Sequence, residues 1–395
     1  MLLILQFPVA LLLLARLTRG ATRTPPIQPK LSSSGEEIGK SDVVGSGSKV
    51  SVVVPTLNEA HRIGPCLTGL TQQGPEVHEI LVVDSRSTDG TQALVAEMAQ
   101  QDSRIHLITD APLPTGWVGR PWALHTGFLK SYADSDWVLG VDADTFPRPG
   151  LVASLLAEAE RQQYDIVSLS PRFKLQWAGE WLLQPALLMT LVYRFDSAGV
   201  LESEPERVMA NGQCFLSRRS VLVQLDGYSC AASSFCDDVT LAREAARQGF
   251  QVGFLDGADV ISVRMYEGLT DTWQGWGRSL DLKDAASPGQ QWQDLWLLIA
   301  TQGLPLPLLV ILLATWGGGA GTPMLAAAIA LNGFLVAVRL GMQVAIANSY
   351  EWPKQFLSPA LCFWFAPLVD LAAVVRIALS TFQRSIQWRG RVYSK

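Results

Sequence analysis

The chain has 395 residues, with 31 Lys plus Arg against 36 Asp plus Glu, so the net charge is 31 − 36 = −5. That length admits one large domain or two moderate ones, and the acidic balance excludes a broad basic surface, so no nucleic-acid partner is expected. Five cysteines without a CxxC pair and four scattered histidines argue against a disulfide framework and against a thiolate or histidine metal site.

Residues 1–16, "MLLILQFPVALLLLAR", are one apolar block. It lacks a basic leading region and a small-residue cleavage site, so residues 1–19 are expected to be a membrane anchor or an interfacial helix. Arg16, Arg19, Arg23 and Lys30 follow it. The positive-inside rule puts that flank, and the globular part with it, in the cytoplasm. Residues 20–48 are rich in Pro, Ser and Gly and are expected to be a linker.

From residue 49 the pattern becomes strand, polar loop, helix, repeated. "KVSVVVPT" has the unbroken apolar run of a strand buried on both faces. A helical pattern through Ile63, Cys66, Leu67 and Leu70 follows. A second strand is expected over 79–84, a helix from about Thr91, a third strand in "RIHLITD" and a fourth in "DWVLGVDAD". The fold class is therefore α/β: a mostly parallel sheet with helices on both faces, over residues 49–290.

Ligands collect at the carboxyl ends of such strands. Strand one ends in Pro55-Thr-Leu-Asn58-Glu59, strand two in Asp84-Ser-Arg-Ser-Thr-Asp89-Gly90, and strand four in Asp142-Ala-Asp144. Any one of these acids could cap the helix after it, and Asp89 before Gly90-Thr91 fits a cap better than a ligand. Several uncompensated acids at one edge repel, which favours a metal or a polar ligand among them.

A second acidic cluster opens "SFCDDVTLAREAARQG", where Ser234 and Asp237 stand where N-caps belong and Gly249 can end a helix. Helix-dipole stabilisation accounts for one of Asp237 and Asp238. The other is a candidate general base pointing into a cleft. The stretch 177–195 is apolar on one face and too short to span, so it is expected to lie against a membrane surface. In "DTWQGWGRSL", a helix would set Trp273 and Trp276 three apart and Gln274 and Arg278 four apart. Three further apolar stretches, Leu295–Trp316, Pro323–Ala347 and Phe356–Ser380, are each about long enough to cross a bilayer. They make up most of a helical block over 291–383, followed by a basic tail, 384–395. Arg339 and Asp370 either neutralise each other there or line a path for an amphiphilic substrate. Three full crossings would export the basic tail, so the Pro-broken first stretch is expected to be re-entrant or interfacial.

Taken together, "VVVPTLNEAHRI", "EILVVDSRSTDGT", "GWVGRPWALHTG", "VDADTF", "NGQCFLSRRSVLVQLDGY", "CDDVTLAREAARQG" and "WQGWGRSL" resemble a membrane-bound family-2 glycosyltransferase of GT-A fold. "RMYEGLTDTWQGWGRSL" and the final "QWRGRVYS" are similar to carotenoid glycosyltransferases, which include cyanobacterial 2′-O-glycosyltransferases of myxol-type carotenoids. The resemblance implies a nucleotide-sugar donor and a lipid or carotenoid acceptor dissolved in the membrane. It implies that Pro55, Glu59 and Asp84 hold the base and ribose, with Asn58 and Arg120 also on the donor. Asp142 serves the nucleotide and shares with Asp144 a Mg²⁺ or Mn²⁺ ion. Asp238 matches the general base, and Asp237 stands where the family often has Glu. Gln274, Trp276 and Arg278 take the place of the family's Gln/Arg-x-x-Arg-Trp motif on the donor, although the order here is Gln-Gly-Trp-Gly-Arg. That departure argues against a processive polysaccharide synthase. Inverting sugar transfer to a carotenoid hydroxyl is the expectation. A ceramide, hopanoid or polyprenyl-phosphate acceptor is the alternative, and an inactive membrane scaffold is disfavoured by the presence of Asp84, Asp142, Asp144 and Asp238.

Overall fold

The structure is a computed structural model that describes residues 2–30, 47–279, 282–317, 322–354, 358–382, 385–388 and 391–394. The chain opens with helix α1 (Leu2–Arg19). The apolar run at residue 50 forms β1 (Val50–Thr56), buried along nearly its whole length. Then follow α2 (Ile63–Thr71), β2 (Val77–Asp84), α3 (Thr91–Gln101), β3 (Ile105–Thr109), α4 (Gly119–Lys130) and β4 (Trp137–Val141). Next come β5 (Thr145–Pro147), α5 (Leu151–Gln162), β6 (Ile166–Ser170), β7 (Arg172–Phe173) and α6 (Ala178–Phe195). The globular part continues through β8 (Cys214–Arg218), α7 (Arg219–Gln224), α8 (Asp237–Arg247), β9 (Val252–Asp256), β10 (Ile261–Val263) and α9 (Gly268–Ser279). The apolar block holds α10 (Pro288–Leu298), α11 (Pro305–Gly317), α12 (Pro323–Ala345) and α13 (Asp370–Thr381).

The described residues fold as two compact units that interleave along the chain: Thr24–Phe173, Ala198–Met265 and Gln387–Lys395 in one, Met1–Arg23, Lys174–Ser197 and Tyr266–Ile386 in the other. The first unit carries a seven-stranded sheet in the order β3-β2-β1-β4-β8-β6-β9, and a small sheet in the order β5-β10-β7. Only β8 runs against its neighbours in the large sheet, antiparallel to β4 and β6. One face packs Val52, Val54, Leu67, Leu70 and Leu139 into a closed core; the other packs Val53, Val83, Leu124, Val138 and Leu241. Both faces are covered, as continuous apolar strands require. The expected strands and helices through β4 are all present.

Part of the expected linker is instead packed on the sheet unit. Thr24 and Ile27 donate backbone N–H groups to the Gly199 and Asp256 carbonyls at 2.9 Å each, and Lys30 donates to Ser154 Oγ at 2.8 Å. Ile27 is buried in the core. Residues 24–30 are thus a strap on the sheet unit, held because an apolar side chain and three donors find partners there; the expected linker's 31–46 lie outside the described residues.

In the helical unit, Leu3–Thr22, Pro323–Ser349 and Pro359–Thr381 are long and apolar enough to cross a membrane. Pro288–Gly303 and Pro305–Gly317 make a pair bent by 48°. The bend follows from a π-helical turn at Ile299–Gly303 and from Pro305, which has no N–H to continue the ladder. The bend falls in the Pro-broken stretch, and its geometry is that of a broken span or of a re-entrant loop. Arg339 and Asp370 neutralise each other. Nε meets Oδ2 at 2.7 Å and Nη2 meets Oδ1 at 3.0 Å, while Gln302 donates to Asp370 at 3.0 Å and Arg339 donates to Gln343 at 2.6 Å. The surface-lying helix expected over 177–195 is instead an interior one. Thirteen of the eighteen residues of α6 are buried, because Trp181 and its neighbours pack on a 3-10 helix at Pro359–Val369.

Candidate active site

Parallel β1, β2 and β4 bring their carboxyl ends to one edge of the sheet. Antiparallel β8 starts at that same edge, so Gly212 and Gln213 meet the end of β4, where the Asp142 N–H donates to the Gln213 carbonyl at 3.3 Å. Pro55 falls where it costs no ladder bond: the pairing of β1 with β4 ends at Val53 opposite Gly140. The loops after β1 and β2 are stitched together. Asn58, at φ 56° in the left-handed region that Asn tolerates, donates its N–H to Ser87 Oγ at 2.7 Å and accepts from the Thr88 N–H at 2.9 Å. The Glu59 N–H donates to Thr91 Oγ1 at 2.9 Å, and its carboxylate pairs with Arg62 at 3.2 Å. Asp89 accepts from Thr91 Oγ1 at 2.6 Å, the Thr91 N–H at 3.1 Å and the Ala60 N–H at 3.0 Å. It is a local structural acid at the entry to α3, one residue before the N-cap Gly90.

Asp84 is fully buried and turned toward its own loop, accepting from Gln92 Nε2 at 2.6 Å, the Ser87 N–H at 2.9 Å and Thr56 Oγ1 at 3.3 Å. Its carboxylate shapes this rim from beneath.

The densest polar cluster centres on Arg120, the second residue of α4. Nε donates to Asp142 Oδ1 at 2.9 Å, Nη1 to Asp237 Oδ2, and Nη2 to the Gly212 carbonyl at 2.7 Å. The other side of the same glycine completes the circuit: its N–H donates to Asp238 Oδ2 at 2.5 Å. Asp238 Oδ1 accepts from the Val239 N–H at 2.9 Å, within the positive first turn of α8. The structure thus unites Asp142 with Asp237 and Asp238, which lie ninety-odd residues further along the sequence. The helix start differs slightly from expectation. Asp237 is the first helical residue, and Ser234 serves the turn before it by accepting from the Cys236 N–H at 3.1 Å. Gly249, at φ 89°, ends the segment as expected.

Burial pushes the Asp237 and Asp238 carboxyls up from the ordinary range. Arg120 pulls both back, and Asp142 pushes both further up. Burial also works against the charge on Arg120, but Asp142, Asp237 and Asp238 more than offset it and the guanidinium stays protonated. An acid raised toward neutrality suits proton removal from a hydroxyl.

Among the described residues, no group of three or more His, Cys, Asp or Glu side chains holds a metal by itself. Asp142 and Asp144 offer hard oxygen donors, with Asp144 anchored through its carbonyl to the Arg264 N–H at 3.2 Å. Such a pair fits Mg²⁺ or Mn²⁺, which take one or two carboxylates and complete their shell with substrate phosphate and water. Gln274 lies exposed on α9 in the helical unit, whereas the Trp276 and Arg278 side chains lie outside the described residues. Gly212 escaped the sequence reading: its contribution is made by backbone atoms, and the only trace was a glycine in "NGQC".

A mostly parallel sheet flanked by helices, with paired acids at its carboxyl edge, defines the GT-A type of fold. Residues 51–225 match the family model described as Glycosyl transferase family 2, and the chain carries a domain of that family. Over 234 residues it is 28% identical to a 4,4'-diaponeurosporenoate glycosyltransferase of Staphylococcus haemolyticus, covering 58% of this chain and 60% of that one. It is 25% identical over 233 residues to the probable glycosyltransferase YdaM of Bacillus subtilis, covering 58% and 53%. These matches span little more than half the length of the curated relatives. Among solved structures, the mannosyltransferase PcManGT from Pyrobaculum calidifontis, in complex with GDP-Man and Mn²⁺, shares the fold at a TM-score of 0.50, with 18% identity over 96% of each chain.

Proposed function

We propose that the chain transfers a sugar, with inversion, from a nucleotide-sugar to a hydroxyl of a membrane-dissolved carotenoid of myxol type. The observation that carries this is the circuit from Asp142 through Arg120 and Gly212 to Asp238, which sets a nucleotide-side acid and a raised-pKa base in one rigid frame. Pro55, Glu59 and Asp84 are assigned to the base and ribose of the donor, with Asn58 beside them, and the bonds that Asn58 and Asp84 make with Ser87 order the loop there. Gln274, Trp276 and Arg278 are assigned to the donor diphosphate on the strength of the motif they match. A divalent ion held by Asp142 and Asp144, Mg²⁺ or Mn²⁺, supplies electrostatic stabilisation of the leaving diphosphate when bound. Asp238 removes the acceptor proton, and Asp237 keeps Arg120 in place. The apolar helices suit a protein that works in the phase where such an acceptor dissolves, and the basic flank Arg16, Arg19, Arg23 and Lys30 supports a cytoplasmic catalytic domain.

A second acceptor class is favoured by the relatives at 24–28% identity, which are named for a carboxylate, 4,4'-diaponeurosporenoate. A carboxylate nucleophile carries no proton to remove, so the two classes separate at Asp238. Ceramide, hopanoid and polyprenyl-phosphate acceptors remain the alternatives outside the carotenoids. The test is reconstitution of the full chain in vesicles with Mn²⁺, a panel of nucleotide-sugars and a hydroxycarotenoid, beside pigment extraction from cells lacking the gene. A glycosylated carotenoid in the vesicles, with its free form accumulating in the cells, supports the assignment. Unchanged pigments with altered glycolipids sink it.

A further inference from the structure

We infer that Arg120 and Gly212 form a positioning device that sets the acceptor-side base against the donor-side acid, resting on the transfer reaction proposed above. The device needs no contact of either residue with donor or acceptor. The guanidinium spends its three nitrogens on Asp142, Asp237 and the Gly212 carbonyl. Family resemblance implies a donor contact for Arg120; the positioning role rests on these three bonds instead. The Gly212 peptide carries the constraint across: its carbonyl accepts from Arg120 while its N–H donates to Asp238. A shift of the arginine therefore turns the peptide that orients the base.

Glycine at 212 is what lets the guanidinium sit where it does. A Cβ there would run into Cζ and both terminal nitrogens of Arg120. Those atoms end a flexible side chain, so alanine can be accommodated by moving the guanidinium and not the backbone. Gly212→Ala thereby displaces the strut while Asp142, Asp237 and Asp238 all remain.

The test compares wild type, Gly212→Ala, Arg120→Lys and Arg120→Ala as full chains in vesicles. Nucleoside-diphosphate binding with Mn²⁺, sugar transfer to a hydroxycarotenoid, and acceptor-independent hydrolysis of the nucleotide-sugar are measured in parallel. For Gly212→Ala the expectation is nucleotide affinity within about 3-fold of wild type and kcat for both reactions lowered about 10²-fold, the cost of misplacing a reacting group by about an ångström. Arg120→Lys, a point charge without the planar fork, keeps part of the rate. Added guanidinium restores part of the rate to Arg120→Ala. If Arg120→Ala fails to fold, because three acids then lack their cation, Gly212→Ala decides alone. The inference is overturned if Gly212→Ala keeps its kcat, or if the donor KM rises with kcat unchanged, which would make Arg120 a diphosphate ligand. A wild type that hydrolyses donor but leaves carotenoid untouched sinks the acceptor assignment, and hydrolysis still judges Arg120. A wild type that does neither sinks both.

Discussion

Two arginines in this molecule are each buried against carboxylate, and they solve opposite problems. Arg339, among the apolar helices, meets Asp370 through two parallel bonds, and Gln302 and Gln343 take up further polar atoms. One positive charge faces one negative charge, so the group is neutral and closed, as a site surrounded by hydrocarbon demands. Arg120, at the carboxyl edge of the sheet, faces Asp142, Asp237 and Asp238 together. Three acids to one base leave an excess of negative charge and raised carboxyls, which is costly in a protein with nothing to bind. The lesson is that charge balance separates structural from reactive clusters where residue types do not: a balanced pair is spent on its own satisfaction, whereas an unbalanced one is completed by a ligand or a proton.

The sharpest break of that contrast is Asp144→Asn, expected to lower transfer at least about 10³-fold while the thermal transition stays in place, because one of the two carboxylates assigned to the ion is lost and Asp142 is already engaged by Arg120. Full activity in that variant, or full activity in excess chelator, removes the metal from the scheme. Asp238→Asn is expected to lower kcat about 10²- to 10⁴-fold with a hydroxyl acceptor. With a carotenoid carboxylate it should cost far less, since no proton has to leave. Equal losses with both acceptors would mean that Asp238 orders the site and does not act as a base.

Stability should move in opposite directions in the two clusters. Asp370→Leu strands a buried guanidinium and is expected to cost about 3 kcal/mol, and Arg339→Met on the same background should return most of it. Asp238→Asn relieves repulsion and should leave the melting temperature unchanged or slightly higher. Denaturation of the three variants in the same detergent checks the signs. An Asp370→Leu protein as stable as wild type would show that the pair is not closed as described.

How much of this could be read from the chain follows from where each signal is carried. Val52-Val53-Val54 announced β1, and Ile63, Cys66, Leu67 and Leu70 announced α2, because apolar spacing is local. The acid pairs were also legible, since strand ends and helix starts are punctuated. What could not be read is anything that depends on which loops meet. Arg120 was visible only as a family position, and its partners come from residues 142, 212 and 237, brought together by the antiparallel insertion of β8. Asp84 was legible as an acid at a strand end, but not the bonds it accepts from Ser87 in its loop and from Gln92 on α3. The stretch 177–195 misled for the same reason: one apolar face was visible, but not the aromatic neighbours at Tyr350 and Phe363 that bury Trp181.

The unbalanced cluster also predicts a pH signature. Because the Asp237 and Asp238 carboxyls are raised, the acid limb of kcat should lie above the ordinary carboxylate range, with activity growing as pH rises through it. Stability runs the other way. Between the ordinary value and the raised one, the folded protein holds more protons than the unfolded chain, so this contribution is full at low pH and is lost as pH rises through the folded pKa. The difference in melting temperature between wild type and Asp238→Asn should therefore widen with rising pH, in the variant's favour, and a difference independent of pH would contradict the raised carboxyl.

The smallest expected effect tests the boundary of the site. Asp89 sits on the same rim and in the same acidic loop as Asp84, yet its bonds go to Thr91 and Ala60, which open α3 and close the neighbouring loop. Burial pushes its carboxyl up, but the hydrogen bonds from Thr91 and Ala60 together outweigh it and hold the group below the usual range, the reverse of Asp237. It is an exposed acid with local partners, so its loss removes those bonds and nothing from the reaction. Asp89→Ala is expected to cost about 1 kcal/mol of stability, with nucleotide affinity and kcat unchanged. A fall in donor affinity without a fall in stability would move Asp89 into the donor site and widen the reactive cluster beyond the acids that Arg120 holds.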